Sequence, residues 1–296
     1  MKLYPKKSRQ YCPVCKSRKI IKFWAMSGYR LARCSSCAMV WDYNPPTNAY
    51  LYDENYFINE NPKGGYANYY EGMRVNKKTF YERLKKIEKK LGNKGKLLDV
   101  GCALGDCLVE AKKLGWKDVQ GVEVSEFAHK IAKRRNLNVR SGDIFKNPFH
   151  KDSFDVILYQ DVIEHIVDPV GELKRVYQIL KPGGIIFLVT PDTGGWWSKI
   201  LGPLWYHYKP MEHISYFSKK SMILALQKSG FDNISIQATY HVLSLEYILN
   251  RLKFYAPTFF EFLLKISRKT PFRDVPFNAY IGELEAWGQK PKRNKG

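Results

Sequence analysis

The stretch Lys96–Glu123, KLLDVGCALGDCLVEAKKLGWKDVQGVE, decides how the chain is read. Leu97, Leu98 and Val100 make a short apolar strand that runs into a turn holding Asp99, Gly101 and Gly105. Leu104, Leu108, Ala111 and Leu114 then recur at helical spacing until Gly115, and a second strand ends at Glu123. Strand, glycine turn, helix, strand and terminal acid form the skeleton of a nucleotide-type site on a doubly wound sheet. Glycines let a ligand approach the backbone, and an acid at the end of the second strand can accept hydrogen bonds from both ribose hydroxyls.

The spacing argues against a dinucleotide. A pyrophosphate fingerprint reads G-x-G-x-x-G, whereas this turn reads Asp99-x-Gly101-x-x-x-Gly105, with Ala103 where another glycine could stand. No Lys-Ser/Thr follows, which excludes a P-loop. An acid just before the first glycine repels phosphate and suits a ligand carrying positive charge, as S-adenosylmethionine does. These residues resemble motif I of the class I S-adenosylmethionine-dependent methyltransferases, and FDVILYQ at 154–160 and LKPGG at 180–184 are similar to further segments of that family. The resemblance implies that Asp99, Gly101, Ala103, Gly105, Glu123, Asp143 and Gln160 bind S-adenosylmethionine, with Glu123 on the ribose and Asp143 near the adenine amino group. Ala103 departs from the commonest form of the motif: it keeps the turn small but removes conformational freedom.

The same alternation continues on both sides. Ser125 is placed to cap a helix, 138–140 reads as a third strand, Phe154–Gln160 as a fourth and Ile185–Thr190 as a fifth. Apolar strands joined by helices at this spacing predict a parallel sheet covered on both faces. Ile234–Ala238 and Tyr280–Trp287 predict two late strands, which by the resemblance complete a Rossmann-like, doubly wound sheet of about seven strands with an antiparallel pair. Between them, 242–276 reads as a helical insertion rich in aromatic and basic residues, with a packed lid, a membrane-surface segment and a dimer face all left open. On this reading 96–290 is the methyltransferase domain and 46–95 a tyrosine-rich connector with a basic leading helix.

At the N-terminus, 1–45, Cys12-x2-Cys15 and Cys34-x2-Cys37 match the spacing of a four-thiolate zinc site. Four protein ligands leave no open coordination position, so the expected Zn2+ is structural and the module a small zinc ribbon.

Charge is placed unevenly. The chain of 296 residues carries a net charge of +21, yet 97–190 holds 13 bases and 13 acids. The excess lies on the flanks, which predicts either a solvated lysine-rich surface or a polyanionic partner, nucleic acid or an anionic membrane. No apolar run approaches the ~18 residues of a membrane span, and the first twenty residues lack a signal-peptide core. The expected location is cytoplasmic, with peripheral contact at the inner face of the membrane left open.

Ligands of such sheets bind beyond the carboxyl ends of the strands, here Glu123, Asp143, Gln160-Asp161, Glu164-His165 and Thr190-Pro191-Asp192. Methyl transfer needs alignment and, for a hydroxyl acceptor, proton removal. His165 in DVIEHIVDP and His213 in KPMEHISYFS are the candidate bases, each with a structural, loop-fixing alternative. Trp196, Trp197 and 205–208 are expected near the acceptor. Ribbon, aromatic connector and these two histidine segments together resemble a subgroup of methyltransferases of surface-polysaccharide and sugar pathways, which implies a sugar, glycan or lipid-linked acceptor. An RNA methyltransferase and a non-catalytic binding module are the alternatives.

Overall fold

The computed structural model describes residues 10–26, 29–45, 56–57, 69–209, 212–253, 255–270 and 275–292. Residues 27–28 of the ribbon and most of the tyrosine-rich connector lie outside these residues. The ribbon contributes β1 (Ile20–Met26), β2 (Tyr29–Cys34) and β3 (Val40–Asp42), antiparallel in that order. A long helix, α1 (Tyr69–Leu91), leads into β4 (Leu97–Val100), α2 (Asp106–Lys113), β5 (Val119–Glu123), α3 (Glu126–Arg134), β6 (Val139–Ser141), β7 (Phe154–Gln160), α4 (Pro169–Ile179) and β8 (Leu180–Pro191). Then come α5 (Trp196–Leu201), β9 (Ser215–Tyr216), α6 (Lys219–Lys228), β10 (Asp232–Ala238), β11 (His241–Leu243), α7 (Leu245–Leu252), α8 (Pro257–Ser267), β12 (Phe277–Ala279) and β13 (Glu283–Gln289).

The main sheet has seven strands in the order β10-β13-β8-β7-β4-β5-β6. The strands from β6 to β8 run parallel, and β13 inserts antiparallel between β8 and β10. This is the expected Rossmann-like, doubly wound fold with a late antiparallel pair. Alternate residues of the central strands feed opposite faces, so both faces are apolar. Leu97, Val156, Leu158 and Phe187 pack with Leu84 and Ile87 of α1 and Leu108 and Ala111 of α2. Leu98, Ile157, Tyr159 and Leu188 pack with Leu173 and Val176 of α4 and Met222 and Leu226 of α6. Local signals set the helix starts: Ser125 accepts from the Ala128 amide, and Ser218 and Ser221 form a reciprocal capping box.

Two features were not expected. The strand β9 pairs with β3, so the main domain supplies the fourth strand of the ribbon sheet. One apolar cluster accordingly runs from Cys12, Val14, Met39 and Trp41 of the ribbon into the face built by α4 and α6. The insertion also begins and ends as a small antiparallel pair, β11 with β12, and holds α7 and α8 between them. No helix among the described residues is long and apolar enough to cross a membrane.

Candidate active site

Where β4, β5, β6 and β7 end, their carboxyl termini open into a cavity of about 850 Å³. Pockets of ~300–1,000 Å³ hold drug-sized ligands, so this one has room for a cofactor and an acceptor side by side. Asp99, Gly101, Ala103, Glu123, Asp143, Gln160 and His165 line it. Gly101 has φ +69°, and a Cβ there would stand 2.5 Å from Val162 Cγ2, so only glycine leaves the turn this close to the opposite wall. Gly105 serves packing: at φ +84°, its missing Cβ admits Leu137 Cδ1, which would otherwise lie 2.2 Å away. Ala103 adopts φ +49°, a left-handed conformation that is costly for a residue with a side chain. Its N–H donates to Glu123 Oε2 at 2.8 Å, while the Ser125 N–H donates to Oε1 at 2.8 Å. Glu123 thus locks the turn to the end of β5, and each carboxylate oxygen keeps capacity for a second donor such as a ribose hydroxyl.

Asp99 and Glu123 are both buried at this end of the cavity. Burial first, and the Glu123 charge second, push the Asp99 carboxyl up to about 7, against hydrogen bonds from Gln160 and Cys107 that pull it down. Burial likewise raises Glu123, opposed by the amides of Ser125 and Ala103. Two desolvated carboxylates beside one cavity fit a cationic guest, because a positive charge relieves both penalties. Asp143 Oδ1 accepts from the amides of Phe145 (2.9 Å) and Lys146 (2.8 Å), which shapes the loop after β6. Tyr56 and Phe57 of the connector also line the cavity, and Phe57 packs on Phe127 with ring centroids 5.8 Å apart.

A polar network that sequence reasoning missed also borders the cavity. Arg83 of α1 is buried, donates from Nη1 to Gln160 Oε1 at 3.0 Å, and places Nη2 3.1 Å from His241 Nε2. His241 Nε2 in turn lies 2.6 Å from Glu283 Oε2. Burial alone would raise Glu283, but His241, His207 and Arg83 outweigh it and hold the carboxyl at about 2. Asp161 lines the cavity beside this network, in a left-handed conformation at φ +56°. Burial and then Glu283 push its carboxyl up to about 6, with Arg83, His241 and Lys209 pulling it back. The one available signal was Arg83 itself, a base at a position of the Phe80-Leu84-Ile87 stripe where an apolar residue is expected.

The two candidate histidines meet as a T-shaped pair with centroids 4.8 Å apart. His165 Nδ1 lies 2.9 Å from the Glu212 carbonyl and His213 Nδ1 2.9 Å from the His207 carbonyl. His213 is fully enclosed and does not line the cavity. Burial lowers both, His165 to about 4, so both rings are neutral at physiological pH. Glu164 joins them within 4.8 Å, its Oε2 accepting from Thr190 Oγ1 at 2.9 Å and its carboxyl pushed well above the ordinary value by burial and the charge of Asp161. The aromatic run expected at the acceptor packs elsewhere: Trp205 and Tyr208 cluster with Leu31 and Val40 of the ribbon.

In the ribbon, Cys12 and Cys37 sulfurs lie 3.5 Å apart and those of Cys15 and Cys34 3.4 Å apart, all four within 4.8 Å. Sulfurs on a tetrahedron of ~2.3 Å Zn–S bonds are about 3.8 Å apart, so the set fits zinc. Lys16 and Ala38, each following the second cysteine of its pair, adopt φ +61° and +60° and close matching knuckles. Amides of Val14, Cys15, Ser17 and Met39 face the sulfurs, which favours thiolates.

A family model described as a methyltransferase domain matches residues 72–236. The chain belongs to the class I S-adenosylmethionine-dependent methyltransferases. Over 115 residues this methyltransferase is 36% identical to a ubiquinone biosynthesis O-methyltransferase of Coxiella burnetii, covering 36% of this chain and 49% of that relative. A cycloartenol-C-24-methyltransferase of Oryza sativa is 35% identical over 98 residues, 30% of this chain and 28% of that relative. The match thus spans about half the length or less of these curated relatives. A solved methyltransferase from Archaeoglobus fulgidus shares the fold with a TM-score of 0.53 at 16% identity, over 75% of this chain and 98% of that one.

Proposed function

We propose that the protein transfers the methyl group of S-adenosylmethionine to a hydroxyl of an amphiphilic, lipid-linked small molecule, of which a lipid-carried sugar is one form. The observation that carries the transfer is the pair of buried carboxylates, Asp99 and Glu123, at a cavity that Asp161, Arg83 and His241 also line. The bound donor supplies a methyl group on a sulfonium. Asp99 and Glu123 orient it through its positive charge and ribose, and Asp143 meets the adenine side. Asp161 takes the acceptor proton, because its carboxyl borders the cavity next to a fixed cation, Arg83. His165 and His213 act as positioning residues that hold the wall through backbone carbonyls. The lipophilic acceptor class is supported by the apolar lining from Phe57, Phe80, Val100, Val162 and Ile166, and by the two relatives' names, one of ubiquinone biosynthesis and one of cycloartenol methylation.

The RNA reading finds less support. The ribbon's Leu31 and Val40 are committed to Trp205 and Tyr208, and in α1 Lys85 and Lys86 pair with Glu88 and Glu285. The same fit of four sulfurs supports Zn2+ in the ribbon as a structural ion.

The test pairs two variants. Glu123→Ala should abolish calorimetric binding of S-adenosylmethionine; undiminished affinity would sink the cofactor assignment. Asp161→Asn should keep that affinity within about twofold and lower kcat by roughly 10²–10⁴. Radiolabel transferred from the methyl donor into a lysate should appear in the lipid extract; label in RNA alone would favour the rival.

A further inference from the structure

We propose that the α7–α8 hairpin docks on an anionic lipid bilayer and holds the acceptor end of the cavity at its surface. The helix α8 has two unlike sides. Leu264 and Ser267 are buried, on a helix that packs on α7, whereas Phe259, Phe262 and Ile266 are 58, 61 and 47% exposed. Those three fall at i, i+3 and i+7, one stripe of an 11-residue helix that is far too short to span a bilayer and suited to lie on one. The stripe extends sideways. The Tyr255 hydroxyl donates to the Leu204 carbonyl at 3.0 Å, which sets Leu204 and Ile200, 64 and 69% exposed, beside the hairpin.

Charge decides the occupant. From 245 to 270 the chain carries Arg251, Lys253, Lys265, Arg268 and Lys269 against Glu246 and Glu261. Both acids are matched, Glu246 by Arg268 Nε at 3.0 Å and Glu261 by Lys253. The surplus includes Lys265 and Lys269, both exposed and within four residues of Phe262 or Ile266, and Lys199 next to Ile200. A second copy of this face would bring bases against bases in a two-fold contact. Anionic headgroups supply the missing counter-charge while their acyl boundary takes the phenyl rings. The hairpin is also tied to the site: β11, from which α7 follows, begins at His241 in the cavity wall. The inference rests on the lipid-linked acceptor proposed above only for its purpose; docking itself is measured without substrate.

The whole chain of 296 residues is sedimented with vesicles of phosphatidylcholine alone or mixed with phosphatidylglycerol at about 0.1 M salt. Expected is binding to the mixed vesicles at least about tenfold tighter than to phosphatidylcholine, weakening as salt rises. Phe259→Ser with Phe262→Ser should weaken it by a further factor of about ten, and Lys265→Glu with Lys269→Glu should weaken it and flatten the salt dependence. Calorimetry should show S-adenosylmethionine affinity unchanged in both variants, which separates failure of docking from failure of the cofactor site. Vesicle binding indifferent to these substitutions overturns the proposal. So does a protein that ignores vesicles yet forms a concentration-dependent dimer that the phenylalanine substitutions abolish.

Discussion

Asp99, proposed above to serve cofactor binding, opposes folding in the free protein. Its carboxyl rises from 3.8 to about 7 in the ligand-free fold, through burial and the neighbouring Glu123. Between those values the folded chain holds a proton that the unfolded chain has released, so the free protein loses stability as pH climbs from about 4 to 7. Asp99→Asn removes the effect: without cofactor, the variant should melt at a higher temperature than the wild type at pH 8. Its affinity for S-adenosylmethionine should nevertheless fall roughly ten- to hundredfold, the worth of a charged hydrogen bond. In the wild type that affinity should rise with pH up to about 7 and then level, and the variant should be nearly flat. A wild-type affinity independent of pH between 5 and 8 would remove Asp99 from the site. The motif residues were legible because turn chemistry is local. Arg83, His241 and Glu283 were not, since 158 positions separate Arg83 from His241 and no short-range pattern records such a meeting.

Among the elements, β9 does most to connect the two parts of the molecule. On one side Val40 and Trp41 of β3 pair with Tyr216 and Ser215. On the other, the Ile214 N–H donates to the Glu164 carbonyl at 2.9 Å and Ser215 Oγ to the Ile166 carbonyl at 2.8 Å. The four cysteines therefore support, through the ribbon strands and β9, the wall that carries His165. Cys34→Ser, or removal of metal by a chelator, should speed amide exchange in 212–217 and lower kcat at least about tenfold. S-adenosylmethionine affinity should stay within about threefold, because β4 and β5 lie on the far side of β7 from this wall. Equal loss of both would make the ribbon a general folding unit. The sequence identifies the ribbon from cysteine spacing; β9, two residues long, carries no periodicity to read.

For the molecule as a whole, cofactor and fold are coupled by mass action. S-adenosylmethionine at a hundred times its dissociation constant should stabilise the protein by about 2.7 kcal/mol, visible as a higher melting temperature in wild type and absent in Glu123→Ala. The net charge of +21 has a similarly global reading: it lies outside the balanced 97–190 region, on the flanks and the insertion, where it can bias association without disturbing the cofactor site. What the sequence determined alone were the things encoded over a few residues: the strand and helix periodicity of the sheet, the turn at Asp99–Gly105, the cap at Ser125 and the two cysteine pairs. Tertiary structure decided the rest. It packed Gly105 against Leu137, set His213 behind the wall, gave the ribbon its fourth strand and brought Arg83, Asp161 and His241 to one cavity, with Glu283 against His241. Those outcomes depend on which distant surfaces are buried against one another, and burial of that kind is a property of the packed chain rather than of any local stretch.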